Sequence, residues 1–162
     1  NGFQVLVNLG LLPGLGNPFE VQAALITNDS ARFEDRWCHL AINQDSPCVF
    51  TKDIEQLYLP VRHGEGKFVA ESDVIEQLKA NNQIVATYTT SGGGEARYPD
   101  DPNGSIEHIA GVCDPTGRIF GMMPHPEAAI EVTNHPRWTR EDVGEPASRK
   151  VFENAVGGKV PA

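Results

Sequence analysis

His125 and Glu127 are the residues whose types and spacing most readily carry chemistry in this sequence. They flank Pro126 at the end of the apolar run Ile119 to Met123. A proline disfavours helical backbone at the residue before it, so His125 is expected to be extended. In extended chain, residues i and i+2 project to the same side. A carboxylate beside an imidazole fixes its tautomer and stabilises the imidazolium, which is the base-and-orienter half of a nucleophilic triad. A surface turn with two polar residues is the competing reading of the same tripeptide. The pair lacks a nucleophile. Asn1-Gly2-Phe3-Gln4 reads as the opening of a helix, and a nucleophile on a strand-to-helix turn is expected immediately before Asn1. There the free N–H groups and the helix dipole lower a thiol's pKa. A simple capped helix start is the alternative.

Other candidates read more blandly. Cys38, Cys48 and Cys113 form no CxxC pair and no even framework, so they are expected to be buried, reduced thiols of a cytosolic protein, with no metal site. Cys113 is a poor substitute nucleophile because it lies in a strand pattern rather than on an exposed elbow. Gly92-Gly93-Gly94 lacks the Lys-Ser/Thr ending of a phosphate loop and reads as a surface loop. Asp100-Asp101 reads as solvated loop, while Arg32 and Arg36 face an acidic partner or an anionic substrate edge, or else form a salt-bridged surface.

The elements that must position these residues are short. Asn1 caps a first helix that Gly10, Pro13 and Gly14 end. Strands are expected at Ala23 to Thr27, Trp37 to Ile42, Lys67 to Ala70 and Ile84 to Tyr88, with shorter extended pieces at Val49-Phe50 and Leu57 to Val61. Ser72 is expected to cap a helix with Asp73 in its first turn and Val74, Ile75 and Leu78 on its apolar face. Ile109 to Val112 and Ile119 to Met122 form a hairpin around Asp114-Pro115-Thr116-Gly117, and a last helix falls near Ala147 to Val156. A chain of 162 residues with 40% hydrophobic content builds one core or part of a slightly larger one, so wholesale disorder is excluded. A net charge of −9 argues against a nucleic-acid surface, and no apolar stretch approaches the ~20 residues of a membrane span. The start in mid-pattern is expected to follow a missing upstream segment.

Several blocks together resemble one family. Asn1-Gly2-Phe3-Gln4 is similar to the second half of the Cys-Asn-Gly-Phe-Gln elbow of class I (triad) glutamine amidotransferases, and Pro124-His125-Pro126-Glu127 to their His-x-Glu pair. More narrowly, the chain resembles the glutaminase subunits and domains of phosphoribosylformylglycinamidine synthase. That match rests on Thr27 to Ser30, Arg32-Phe33-Glu34, Arg36-Trp37, Pro60 to Gly66, Pro102 to Ser105, Ile109 to Val112 and Gly121 to Glu127. The resemblance implies a flavodoxin-like α/β fold with β-hairpin embellishment, residues 1–162 forming the C-terminal portion of one amidotransferase domain. It implies that a cysteine thiolate attacks glutamine and that ammonia passes to a synthetase partner, which uses ATP and Mg. The domain itself is expected to take no cofactor, no nucleic acid and no membrane. On the same resemblance, His125 is expected to shuttle protons and Glu127 to orient it. The Asn1 N–H is expected to help form the oxyanion hole, Gln4 to face substrate, and the backbone of His63-Gly64-Glu65 to hold the amino-acid end of glutamine. The alternatives are a non-catalytic partner-binding module of the same fold and the glutaminase of another amidotransferase. Ala128 stands where the family often has arginine, and Asn134 to Trp138 reads as an added surface loop.

Overall fold

The computed structural model describes residues 1–17 and 19–157, so 158–162 of the expected domain lie outside the described residues. In chain order the elements are α1 (Gly2–Asn8), β1 (Ala23–Thr27), β2 (Glu34–Ile42), β3 (Gln56–His63), β4 (Glu65–Ala70), α2 (Ser72–Ala80), β5 (Ile84–Thr89), β6 (Ile109–Cys113), β7 (Phe120–Met122) and α3 (Arg149–Gly157). Five strands form one sheet in the order β3-β2-β5-β6-β7, and β1 pairs with β4 in a second. Every ladder between these strands is antiparallel. The expected hairpin is present: Cys113 faces Phe120 across it, and Asp114 builds its turn.

Two apolar clusters hold the layers together. One joins Phe3 and Val7 of α1, Leu25 of β1, Phe68 of β4, Ile75 and Leu78 of α2, and Ile109 and Val112 of β6. The other joins Leu40, Leu59, Val61, Tyr88 and Ala110 to Ala129 and Val151 of α3. Fully burying a residue such as Leu40 or Phe68 contributes about 1.5–3 kcal/mol. The single residue Gly64 separates β3 from β4, so there the chain leaves one sheet and enters the other.

Four expectations are corrected. Val49 to Thr51 form a 3-10 turn rather than the expected extended piece at Val49-Phe50, because Phe50 packs on Phe120 and Asn154 of α3 donates to the Phe50 carbonyl. Glu71, not Ser72, occupies the N-cap of α2. Asp101 is buried rather than solvated: its carboxylate accepts from the Asn103 and Gly104 N–H groups and meets His108 Nδ1 at 2.7 Å. Finally, 134–138 is not simply surface loop, because His135 packs against the rings of Trp37 and Tyr58.

Candidate active site

The backbone carries His125 into place in three steps. β7 pairs with β6, and the Met123 N–H extends that ladder by donating to the Ala110 carbonyl at 2.9 Å. The His125 N–H then crosses to the Pro60 carbonyl of β3 at 2.8 Å. Pro126 opens a 3-10 turn over Pro126–Ala129, which returns Glu127 toward the ring. His125 is extended, as the proline requires, with φ −102° and ψ 92°. Its Nδ1 lies 2.6 Å from Glu127 Oε1. A carboxylate there favours the proton on Nδ1 and leaves Nε2 as the basic nitrogen.

The start of α1 faces this pair. Asn1 caps the helix, its side-chain oxygen accepting from the Gln4 N–H at 2.7 Å. Phe3 lies against Gly121 of β7, where a Cβ would collide with its ring. That close approach ties α1 to the strand that presents His125. Asn1, Gly2, Phe3, Arg62, His125 and Glu127 thus line one cleft of about 630 Å³.

The remaining predicted residues lie beside this cleft without lining it. Gln4 Nε2 donates to Glu65 Oε2 at 3.2 Å and to the Leu25 carbonyl at 3.3 Å, joining α1 to β4 and β1. Gly64 lies at the switch between sheets, and its carbonyl accepts from the Asn28 N–H. His63 turns inward and is 4% exposed. Burial and the neighbouring His125 charge push it down to about 4, against the pull of Glu34. Glu34 opposes His63 in the β2–β3 ladder and is also buried. Burial raises its carboxyl, but the Ser30 hydroxyl and the Arg36 guanidinium hold it below the usual range. Arg36 in turn donates to the Tyr98 hydroxyl and lies over its ring, so it serves a half-buried ion pair with Glu34, whereas Arg32 is exposed. The sequence reading misses Glu34 and Asn28 in these roles, since each reads locally as part of a polar loop.

The cysteines stay out of this geometry. Cys38 is pushed up to about 12 by burial. Cys113 is fully buried, and a hydrogen bond with Cys48 together with burial raises its thiol far above the ordinary value. A thiol held protonated, as in Cys38 and Cys113, is a weak nucleophile.

Fold and site together define a mixed α/β domain in which an imidazole hydrogen-bonded to a carboxylate shares one cleft with a helix start. A family model described as CobB/CobQ-like glutamine amidotransferase domain matches residues 1–157. The chain belongs to that family of glutamine amidotransferase domains. A protein from Dehalococcoides mccartyi named phosphoribosylformylglycinamidine synthase subunit PurQ is 45% identical over 157 residues, covering 96% of this chain and 60% of that protein. A Methanococcus maripaludis protein of the same name is 46% identical over 141 residues, covering 85% of this chain and 52% of its own length. A chain in the solved structure of PurLQS from Thermotoga maritima is 30% identical with a TM-score of 0.65, covering 96% of this chain and 57% of that one. The expected class I amidotransferase fold is therefore the fold observed. The chain spans 52–60% of the length of these curated relatives.

Proposed function

We propose that this domain hydrolyses the side-chain amide of glutamine and supplies the ammonia for phosphoribosylformylglycinamidine synthesis. One observation carries the reading: the Glu127–His125 hydrogen bond of 2.6 Å sits in the same cleft as the start of α1. The relatives' names supply the destination of the ammonia.

In this scheme the nucleophile is a cysteine preceding Asn1 in the intact protein. His125 Nε2 accepts the thiol proton, and the thiolate adds to the side-chain carbonyl carbon of glutamine. The tetrahedral oxyanion is stabilised by backbone N–H groups, that of Asn1 among them. The imidazolium then gives its proton to the departing nitrogen, so ammonia leaves and a glutamyl thioester remains. Water attacks the thioester, His125 takes its proton, and glutamate and thiol are released. Glu127 keeps the ring in one tautomer throughout. The backbone of Gly64 and Glu65 holds the amino-acid end of the substrate, and Gln4 orders Glu65. The ammonia passes to a synthetase subunit or domain, which spends ATP with Mg in the cytoplasm, while the glutaminase domain takes no cofactor of its own.

The experiment is a glutamine hydrolysis assay on the intact protein with its synthetase partner, using a diazoketone analogue of glutamine as inhibitor. Glutamate should form, and the analogue should stop it by alkylating the cysteine before Asn1. Turnover that persists after that thiol is alkylated contradicts the scheme.

A further inference from the structure

Asn28 directly follows β1, is 2% exposed and has its side-chain amide engaged at both ends. Its Nδ2 donates to the carbonyls of His63 and Arg32, both at 2.8 Å. Its Oδ1 accepts from the Gly66 N–H at 3.0 Å and lies 3.0 Å from His63 Nδ1. Its own N–H donates to the Gly64 carbonyl at 3.0 Å. The backbone on both sides of Gly64 is therefore tied to a single residue at the end of β1.

The same bonds decide a tautomer. Nδ2 is committed to two carbonyls, so the amide cannot be flipped, and the atom facing His63 is an acceptor. His63 Nδ1 must then carry the ring proton. The bare lone pair falls on Nε2, which is buried with no hydrogen-bond partner among the described residues. A second contact enforces the ring's position: a Cβ on Gly66 would collide with it. Burying a saturated amide costs little, whereas leaving any of its partners unpaired costs about 1–3 kcal/mol.

We propose that Asn28 is a positioning residue for glutamine: it fixes the Gly64–Glu65 backbone in the form that receives the substrate and locks His63 in its Nδ1-protonated tautomer. The inference deepens the glutaminase reading above and rests on it for the identity of the substrate. A clamp that merely stabilised the fold would lower the melting point without changing how glutamine binds. A clamp that sets the substrate-holding backbone changes KM more than kcat.

The test compares Asn28→Asp and Asn28→Ala in the intact protein with its partner. Asn28→Asp keeps the shape and the acceptor but loses both donated bonds, and it places a carboxylate at His63 Nδ1. It should raise the glutamine KM about tenfold while kcat changes less than about twofold, and Asn28→Ala should raise KM at least as much. Asn28→Asp should also make His63 easier to protonate, because it adds a carboxylate at Nδ1 while the other groups facing the ring, Glu34 from β2 and His125, are unchanged. Ring-nitrogen NMR should show wild-type His63 neutral with its proton on Nδ1 at about pH 6. The Asn28→Asp variant should show the doubly protonated ring there. An unchanged KM in a folded variant, a loss confined to kcat, or a wild-type ring protonated on Nε2 overturns the proposal. A wild-type enzyme that does not hydrolyse glutamine contradicts the glutaminase reading instead. The ring spectrum needs no turnover and separates the two failures.

Discussion

On the proposed mechanism His125 and Glu127 divide one task. The imidazole moves protons and the carboxylate holds it still, so their substitutions should differ in size. His125→Ala should reduce glutamine turnover by about 10³-fold or more, while Glu127→Ala should leave at least about tenfold more residual activity. Steady-state glutamate release at saturating substrate checks this, and equal losses would mean that Glu127 does more than orient. His63 makes a separate prediction about acid. Its folded pKa of about 4 lies below the ordinary value near 6.5, so between those limits the unfolded chain binds a proton that the folded chain does not. Stability should therefore fall as pH drops from about 6.5 toward 4, by up to about 3 kcal/mol. His39, also lowered by burial, acts in the same direction, whereas Glu34 and Asp114, held below their ordinary values, weaken the fold only at lower pH. Denaturant melts at about pH 7 and pH 5 should show that drop, and His63→Gln should flatten it. At this scale the His125–Glu127 pair is legible in the sequence because its hydrogen bond is local, two residues apart. The Asn28–His63 bond spans 35 residues, and only the paired strands bring its ends together.

Among the elements, α1 and β7 matter most, because the cleft exists only where they meet. Their contact is Phe3 on Gly121, with Leu12 alongside. Gly121→Ala should push the Phe3 ring outward and cost about 1–3 kcal/mol, as overpacking does. It should also lower activity, since α1 would shift relative to His125. Adding Phe3→Leu makes room for the new methyl and should restore part of both, which paired denaturant melts and activity assays would reveal. Rescue of stability alone would show that the contact does not position the site. The β6–β7 hairpin is readable from sequence because Asp114 closes its own turn, accepting from the N–H groups of Thr116, Arg118 and Ile119. The 3-10 turn at Val49–Thr51 is not, because its partners Phe120 and Asn154 stand far along the chain. Burial of Glu34 is hidden for a like reason: local pattern places it in a polar loop, and only Arg36 and the pairing with β3 make its burial tolerable.

At the scale of the whole molecule, two sheets meet at Gly64, with the His125 cleft at the end of β7. Composition and strand periodicity reach only as far as a mixed α/β domain, whereas the family is legible through several motifs in order. Two buried clusters then bind these segments, so that groups far apart in sequence line one cleft. On the proposed function, that site delivers nitrogen to a synthetase. The most direct measurement follows amide-¹⁵N of glutamine into the amidine product, using the intact protein with its synthetase, ATP and phosphoribosylformylglycinamide. The label should enter the product with wild-type protein and be lost with His125→Ala, while added ammonium chloride still supports synthesis by the variant. Undiminished label transfer in the His125 variant, or none with the wild type, would contradict a His125-dependent supply of ammonia.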